Sequence, residues 1–247
     1  MSTRRVFSVH LALSLLLAGI ICVLVFVFWY PAPYFAAKGA WSILAVLLGV
    51  HLIAGPMLTL YLYRPGKPGL MIDMVFVVVV QVAALGYGTY VLHSERPYFT
   101  VFAVDRFEVV ARHEVDFTRI DYAALLNKPL IGPILAVALL PETTAGRQQL
   151  LDEVLFQGRL DIDRRPEFWQ PHAGQVEHIV ANVQNLCDLT ARAGTGAQVE
   201  RLLSQLGRTA EAFGYVPLRG KERDFAFVID RQTGKPVGSI DVNPWPE

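Results

Sequence analysis

The chain has 247 residues, of which 53% are hydrophobic and 18% charged, and its formal net charge is zero. Nucleic-acid binding needs a basic surface that displaces counterions from phosphates, so this balance gives no support to that class. The charged residues are concentrated in the later part of the chain. This division predicts a membrane part, residues 1–95, followed by a soluble domain, residues 96–247.

Three apolar runs are long enough to cross a bilayer, whose core of about 30 Å needs about 20 helical residues. The predicted spans cover about residues 11–30, 39–63 and 74–92. A cleaved signal peptide is the competing interpretation of the first run, because Arg4 and Arg5 precede it. That run is long, however, and it ends in Phe28, Trp29 and Tyr30 where a cleavage site needs small residues. A retained helix is therefore favoured.

The short loops predict the orientation, because lysine and arginine stay on the cytoplasmic side. Arg4 and Arg5 precede the first span, Arg64 and Lys67 follow the second, and Lys38 alone lies between the first two. The N-terminus is therefore expected in the cytoplasm. Three crossings then put the domain outside, in the periplasm of a Gram-negative host, with the spans in the inner membrane.

Polar residues interrupt the predicted spans at a few positions. Asp73 lies near the start of the third span, where a carboxylate complements the helix dipole. His51 lies in the second span and Gln81 in the third. An unpaired polar group in lipid is costly, so both side chains are expected to face neighbouring helices or a cavity. Helix packing and proton or partner chemistry both remain open for them. Gly55-Pro56 predicts a kink or a close helix approach.

The soluble domain is predicted to be α+β. Alternating apolar residues over residues 98–104 and 106–110 indicate two short strands or one bent strand. Helical patterns follow over residues 143–157, 175–193 and 197–213, and a hairpin turning at Thr233-Gly234 ends the domain. Residues 125–141 are too short and too proline-broken for a fourth span.

The segment after the third span, "RPYFTVFAVDRFEVV", begins with Arg96, which is too charged for lipid. Tyr98 and Phe99 are expected to seat the chain at the membrane interface, where aromatic residues are favoured. Asp105 and Arg106 form either a structural ion pair or turn, or a contact for a partner. The sequence does not separate these two roles.

Catalytic and metal-binding motifs are not found in the sequence. His113 begins "HEVDF", which lacks the second histidine four residues on that a zinc-protease helix needs. Asp161 and Asp163 stand beside two arginines, a pattern typical of a solvated turn. His172 and His178 flank a helix start without a third ligand. No enzyme activity, catalytic residue, metal or cofactor is therefore predicted.

Several blocks of sequence carry a resemblance to a known family. They are "YPAPYF" from Tyr30, "GPMLTL" from Gly55, "RPGKPGLMIDM" from Arg64 and "RPYFTVFAVDRFEVV" from Arg96. In this order and spacing they resemble the type IV pilin accessory proteins, the TfpX/TfpZ-like family. "YVPLRGKERDFAFVID", before the Thr-Gly turn, is also similar. The chain departs from the family at His51, where an acidic residue is expected.

The resemblance implies a non-enzymatic inner-membrane protein that assists or modulates assembly of a cognate type IV pilin. Its implied partners are that pilin, other pilus assembly proteins and the lipid bilayer. A membrane-anchored periplasmic sensor or ligand-binding module is the alternative, and a transporter subunit is a third hypothesis. The candidate partner-contact or structural residues are Tyr34, His51, Asp73, Gln81, Arg96, Asp105 and Arg106.

Overall fold

The computed structural model describes residues 2–190, 192 and 194–245. Its internal contacts divide the chain into two compact units. The helical unit comprises residues 1–31 and 39–96, and the sheet domain comprises residues 32–38 and 97–247. Residues 32–38 thus group with the sheet domain, although they lie between two apolar helices in the sequence.

Within the described residues, the helices vary from one turn to 27 residues. They are α1 (Thr3–Trp29), α2 (Tyr34–Lys38), α3 (Trp41–Leu62), α4 (Leu70–Glu95), α5 (Thr144–Gln157), α6 (Val176–Val180), α7 (Cys187–Thr190) and α8 (Gly196–Leu206). As predicted, three of them, α1, α3 and α4, are long and apolar enough to cross a membrane. Their outward faces expose apolar side chains such as Leu16, Val46 and Val82.

The sheet domain contains a mixed sheet built from parallel and antiparallel pairs. Its strands are β1 (Pro97–Ala103), β2 (Arg106–Ala111), β3 (Ile134–Ala138), β4 (Trp169–Pro171), β5 (Gln184–Asn185), β6 (Phe213–Arg219), β7 (Phe225–Asp230) and β8 (Pro236–Ile240). Their order is β4-β3-β1-β2-β6-β7-β8, and β5 pairs with β6. The β1–β3 and β2–β6 pairs are parallel.

Strand alternation assigns side chains to the two faces of the sheet. Phe99 and Val101 of β1 pack in a core on one face, which α5 covers through Leu150. Phe102 and Phe107 belong to the core on the other face. Because β1 lies inside the sheet with both faces covered, its apolar residues are all buried.

This burial corrects the expectation for Tyr98 and Phe99 at a membrane interface. Phe99 is fully buried and its ring lies 4.9 Å from that of Trp169, centroid to centroid. Tyr98 is also buried, and its ring contacts Phe117 edge to face, with the centroids 5.4 Å apart. Both aromatic residues are core residues of the sheet domain, because the strand that carries them is central.

Three local predictions for this domain are confirmed. Strands β1 and β2 form as two separate strands where alternation indicated them, and the β7–β8 hairpin forms with its turn at Gly234, which has φ 63°. Helix α5 forms within the predicted range, because the Thr143 hydroxyl accepts a hydrogen bond from Gly146 N–H and Gly158 ends the helix at φ 65°.

The predicted helix over residues 175–193 is wrong as a continuous element. Two short helices, α6 and α7, flank β5, whose Gln184 and Asn185 pair with β6. The apolar positions repeat at helical spacing, but Ile179 and Leu186 are buried in different cores. Ala193, the predicted end of this helix, lies outside the described residues.

The predicted helix over residues 197–213 is too long at its C-terminal end. Helix α8 ends at Leu206, because Gly207 adopts φ 64° and donates its N–H to Leu203 O at 2.9 Å. Phe213 already begins β6. Strand β3 was not predicted, because its short apolar run has no period of its own.

Candidate functional site

A cluster of polar side chains joins the three long helices of the helical unit. His10 of α1 lies between Thr59 of α3 and Gln81 of α4. Its Nδ1 is 2.6 Å from the Thr59 hydroxyl, and its Nε2 is 2.7 Å from Gln81 Oε1. Thr59, Gln81 and the nearby His51 are buried. We call His10, His51, Thr59 and Gln81 the polar cluster.

The backbone around Gly55-Pro56 explains why Gln81 points to this place. Residues Val50–Ala54 form a wide π-helical turn, in which Gly55 donates its N–H to Val50 O. Pro56 has no N–H, so the carbonyl of His51 lacks the donor that the next position of the turn would supply. Gln81 Nε2 donates to that carbonyl at 3.5 Å. His51 therefore belongs to the polar cluster through its backbone carbonyl, and its side chain lies buried in the turn.

The bonding pattern orients the Gln81 amide. Since Gln81 uses its amide nitrogen for the His51 carbonyl, its oxygen faces His10 and accepts the Nε2–H. The other ring nitrogen of His10 lies within hydrogen-bond distance of the Thr59 hydroxyl. Both ring nitrogens of His10 are thus bonded. Chemically, this arrangement can hold three apolar helices in one register.

Gly55 leaves the space that Gln81 occupies. A Cβ atom built on Gly55 would lie 1.6 Å from Gln81 Nε2. We expect Gly55→Ala to push the amide away and to lower stability by about 1 to 2 kcal/mol, the range for hydrogen bonds between membrane helices. Thermal unfolding of the purified protein in nanodiscs measures the loss.

Gly86→Ala is the matched control, because a Cβ at Gly86 of α4 meets nothing within 4 Å. Alanine is the better helix former, so this variant should be neutral or slightly more stable. Combining Gly55→Ala with Gln81→Ala should cost less than the sum of the single changes, because the clash is removed. Equal stability of Gly55→Ala and Gly86→Ala would refute the steric account.

In the sheet domain, the segment of residues 32–38 docks on one face of the sheet. The Tyr34 ring contacts Phe227 edge to face at 6.1 Å, and its hydroxyl accepts a hydrogen bond from the Thr100 hydroxyl at 3.0 Å. Burial raises the pKa of Tyr34 well above its ordinary value. Ala37 O accepts from Glu222 N–H at 3.0 Å. These contacts make Tyr34 the anchor of the segment.

Lys38, at the end of this segment, belongs to a charged group. Its Nζ lies 3.6 Å from Glu114 Oε2, which also accepts the Ala111 N–H at 2.6 Å. Arg164 Nε reaches the other oxygen of Glu114 at 3.3 Å. Burial alone would raise the pKa of the Glu114 carboxyl, but Ala111, Lys38 and Arg164 offset it, and that pKa lies below its ordinary value.

The Asp105–Arg106 pair lies at the β1–β2 hairpin. Arg106 bonds Asp105 at 3.1 Å and Glu108 at 2.7 Å, and Arg219 reaches the same Glu108 oxygen at 3.4 Å. Glu108 is buried, so two guanidinium groups neutralise a carboxylate in the sheet. The Asp105 side chain stays exposed beside the turn residue Val104.

The remaining predicted residues lie apart from these groups. Asp73 lies in the first turn of α4 and pairs with Lys67. Arg96 follows the end of α4 and is half-buried. The structure thus brings His51 together with Gln81, and Asp105 together with Arg106. His10 and Thr59 were missed, because His10 precedes the predicted first span by one residue and a threonine in a span carries no distinctive signal.

A cleft of about 280 Å³ in the sheet domain is lined by charged side chains. Four arginines at the cleft, Arg119, Arg159, Arg164 and Arg165, each bond at least one carboxylate. His172, a residue considered as a metal ligand, instead bonds Gly234 O at 2.9 Å. Within the described ranges, no group of three or more His, Cys, Asp or Glu residues is arranged to hold a metal.

The chain combines three apolar helices that could span a membrane with a mixed-sheet domain that follows them. Residues 1–39 match the family model of the fimbrial assembly protein FimB. The chain is similar to the fimbrial assembly protein of serogroup I from Dichelobacter nodosus, with 25% identity over 92% of this chain and 90% of the relative.

Two further relatives carry the same description. The fimbrial assembly protein of serogroup E1 from Dichelobacter nodosus is 24% identical over 92% of this chain and 90% of its own length. That of serogroups C1 and C2 is 29% identical over 45% of this chain and 86% of its own length. No solved structure matches. The similarity to fimbrial assembly proteins confirms the resemblance to pilus accessory proteins drawn from the sequence blocks.

Proposed function

We propose that this chain is a non-enzymatic inner-membrane accessory factor that assists or modulates assembly of a cognate type IV pilin into pili. The observation that carries the proposal is the similarity over 92% of the chain to proteins described as fimbrial assembly proteins. The polar cluster and the charged groups support it, because their donors and acceptors hold helices and strands together. Partner binding of this kind needs a complementary surface and no reacting group.

Insertion of α1, α3 and α4 in the inner membrane, with the sheet domain in the periplasm, is part of the proposal. Two independent observations support this orientation. Lysine and arginine in the short loops favour a cytoplasmic N-terminus. In addition, residues 32–38, which follow α1, pack inside the sheet domain, which follows α4. This packing supports an arrangement in which the end of α1 and the end of α4 lie on the same side of the membrane.

A reporter active only in the periplasm tests this orientation. Fused after Asp163 in the sheet domain it should be active, and fused at Gly66 between α3 and α4 it should be inactive. The reason is that three crossings separate the N-terminus from Asp163, whereas two separate it from Gly66. The reverse activities would overturn the orientation and the functional proposal built on it.

A groove between α3 and α4 offers a surface for an apolar helix of the pilin. It has a volume of about 440 Å³ and is lined mainly by apolar residues, with Gly88 in its wall. A Cβ at Gly88 would lie 2.7 Å from Leu47 Cδ1, so the glycine allows α3 and α4 to approach closely. A pilin with its helix in lipid would fit beside these two helices. Tyr87 lines this groove and is 72% exposed.

The sheet domain also exposes apolar residues to a partner. Leu151 and Leu155 lie one turn apart on the outer side of α5, and the adjacent Phe156 is 81% exposed. Exposed apolar groups of this size are typical of interaction surfaces. Together with the groove, they offer contacts to both the membrane helix and the outer head of a pilin.

Photo-crosslinking in living cells tests whether the pilin is bound. A crosslinking amino acid placed at Tyr87 should capture the cognate pilin, identified by mass spectrometry. Tyr61 on α3 is the matched control, because it is also a tyrosine, is equally 72% exposed and lies outside the groove. Capture of pilin at neither position, or equally at both, would count against the groove as the binding surface.

The charged cleft is the observation that favours the second candidate, a membrane-anchored periplasmic sensor or ligand-binding module. A small anionic molecule could replace the carboxylates that now bond its arginines. Native mass spectrometry of the purified protein decides between the two. A bound small molecule that is lost on Arg165→Ala would favour the sensor.

A further inference from the structure

One edge of the sheet is where the chain passes between the two units. β1 begins at Pro97, directly after Arg96, the last residue of the helical unit. Antiparallel pairing sets Ala111 at the end of β2 opposite Pro97. Parallel pairing sets Ile134, the start of β3, beside Phe99. We call the edge formed by Pro97, Ala111 and Ile134 the Pro97 edge.

Another of the three covalent connections between the units lies at the same edge. Lys38 is the last residue of the docked segment, and the chain leaves the sheet domain after it. Its Nζ lies 3.6 Å from Glu114 Oε2, and the same oxygen accepts the N–H of Ala111. Two of the three connections between the sheet domain and the long apolar helices, those after Lys38 and before Pro97, therefore lie at the Pro97 edge.

The connection from β2 to β3 crosses this edge and contains an apolar loop. Residues 121–132, "DYAALLNKPLIG", are separated from β3 only by Pro133, and we call them the 121–132 loop. Tyr122, Leu126, Leu130 and Ile131 are 41%, 49%, 78% and 53% exposed. Leu125 is buried in the core and anchors the loop. Apolar side chains grouped in this way mark an interaction surface.

A lysine closes the base of the loop. Lys128 Nζ donates to Gly132 O at 2.7 Å and lies 5.7 Å from the centroid of the Tyr98 ring. Arg112 also lies against Tyr98, at 5.6 Å. Basic groups next to exposed leucines match the membrane interface, where basic groups attract anionic headgroups.

We propose that the 121–132 loop rests in the headgroup region of the periplasmic leaflet, with Leu130 and Ile131 inserted into the lipid. This inference rests on the membrane insertion proposed above. Lipid is favoured over a protein partner because the loop lies at the edge from which two of the three connections lead to helices that could span the bilayer. The contact would fix the orientation of the sheet domain on the membrane surface.

Spin labels on the full-length protein test the inference. The native Cys22 and Cys187 are replaced by serine, and the protein is reconstituted in vesicles of phosphatidylethanolamine and phosphatidylglycerol. Labels are placed by Leu130→Cys in the loop and by Val104→Cys as control. Val104 is 50% exposed and lies at the opposite end of β1. A third label, Val79→Cys on α4, reports insertion of the helices.

Relaxation by oxygen and by a water-soluble nickel chelate distinguishes the outcomes. We expect a ratio of oxygen to nickel accessibility at Leu130→Cys several-fold higher than at Val104→Cys and close to that at Val79→Cys. A water-exposed label at Leu130→Cys beside a lipid-exposed label at Val79→Cys overturns the loop contact but not the insertion. A water-exposed Val79→Cys label overturns both. Shielding of Leu130→Cys only after pilin is added would assign the loop to that protein.

Discussion

Phe107→Asp is expected to unfold the sheet domain and to remove the protein from the membrane fraction. Phe107 is fully buried, with its ring 5.2 Å from Phe102 and 5.6 Å from Phe227. Losing the ring costs about 3 to 5 kcal/mol, and burying a carboxylate without a partner adds several more. A domain stable by about 5 to 15 kcal/mol does not tolerate such a loss.

Val104→Asp serves as the control, because it introduces the same side chain three residues earlier at an exposed position. The level of this variant in the membrane fraction and its resistance to protease should be normal. Wild-type levels and protease resistance of Phe107→Asp would contradict the assignment of Phe107 to the core.

Tyr34→Ala is expected to release residues 32–38 from the sheet domain. The substitution removes the ring that contacts Phe227 and the acceptor of the Thr100 hydroxyl, at a cost of about 3 to 5 kcal/mol. The Lys38 side chain is only 6% exposed in the docked segment. Release should therefore allow trypsin to cut after Lys38, and mass spectrometry of the fragments measures the cut.

Tyr34→Phe is the matched variant, because it keeps the ring and removes only the hydroxyl. Thr100 then has lost its buried partner, so stability should fall by about 1 to 3 kcal/mol, with the segment still docked. Resistance of Lys38 to trypsin in Tyr34→Ala, at the level of Tyr34→Phe, would show that the ring does not hold the segment.

Features with a local sequence signal were predicted well. The three long helices follow from long apolar runs, strands β1 and β2 follow from alternation, and the β7–β8 hairpin follows from alternation around a turn. Helix α5 carries its own signals, Thr143 before its first residue and Gly158 after its last. In each case the residues that decide the structure lie within the element or next to it.

Features that depend on distant contacts were not predictable. The apolar repeat of residues 175–193 fits a helix, yet Ile179 and Leu186 pack in separate cores. Docking of Tyr34 depends on Thr100 and Phe227, which are far away in sequence. Similarly, the polar cluster could be predicted only in part. His51 and Gln81 were noticed as polar residues in apolar spans, but their link to His10 requires the packing of three helices.

The ion pairs around Asp105 and Arg106 were also predictable only in part. Asp105 and Arg106 are neighbours, so their ion pair was one of the roles considered. Their neighbour Glu108 is buried and also bonds Arg219, which belongs to β6. The parallel β2–β6 pairing brings Glu108 and Arg219 together, and it has no signature in the sequence.

The most direct test of the proposed function is to delete the gene in a strain that carries its cognate pilin and to count surface pili by electron microscopy. We expect fewer or altered pili and impaired pilus-dependent motility, with unchanged pilin transcription, and complementation with the wild-type gene should restore both. Normal piliation and motility in the deletion strain would contradict a role as a pilin accessory factor.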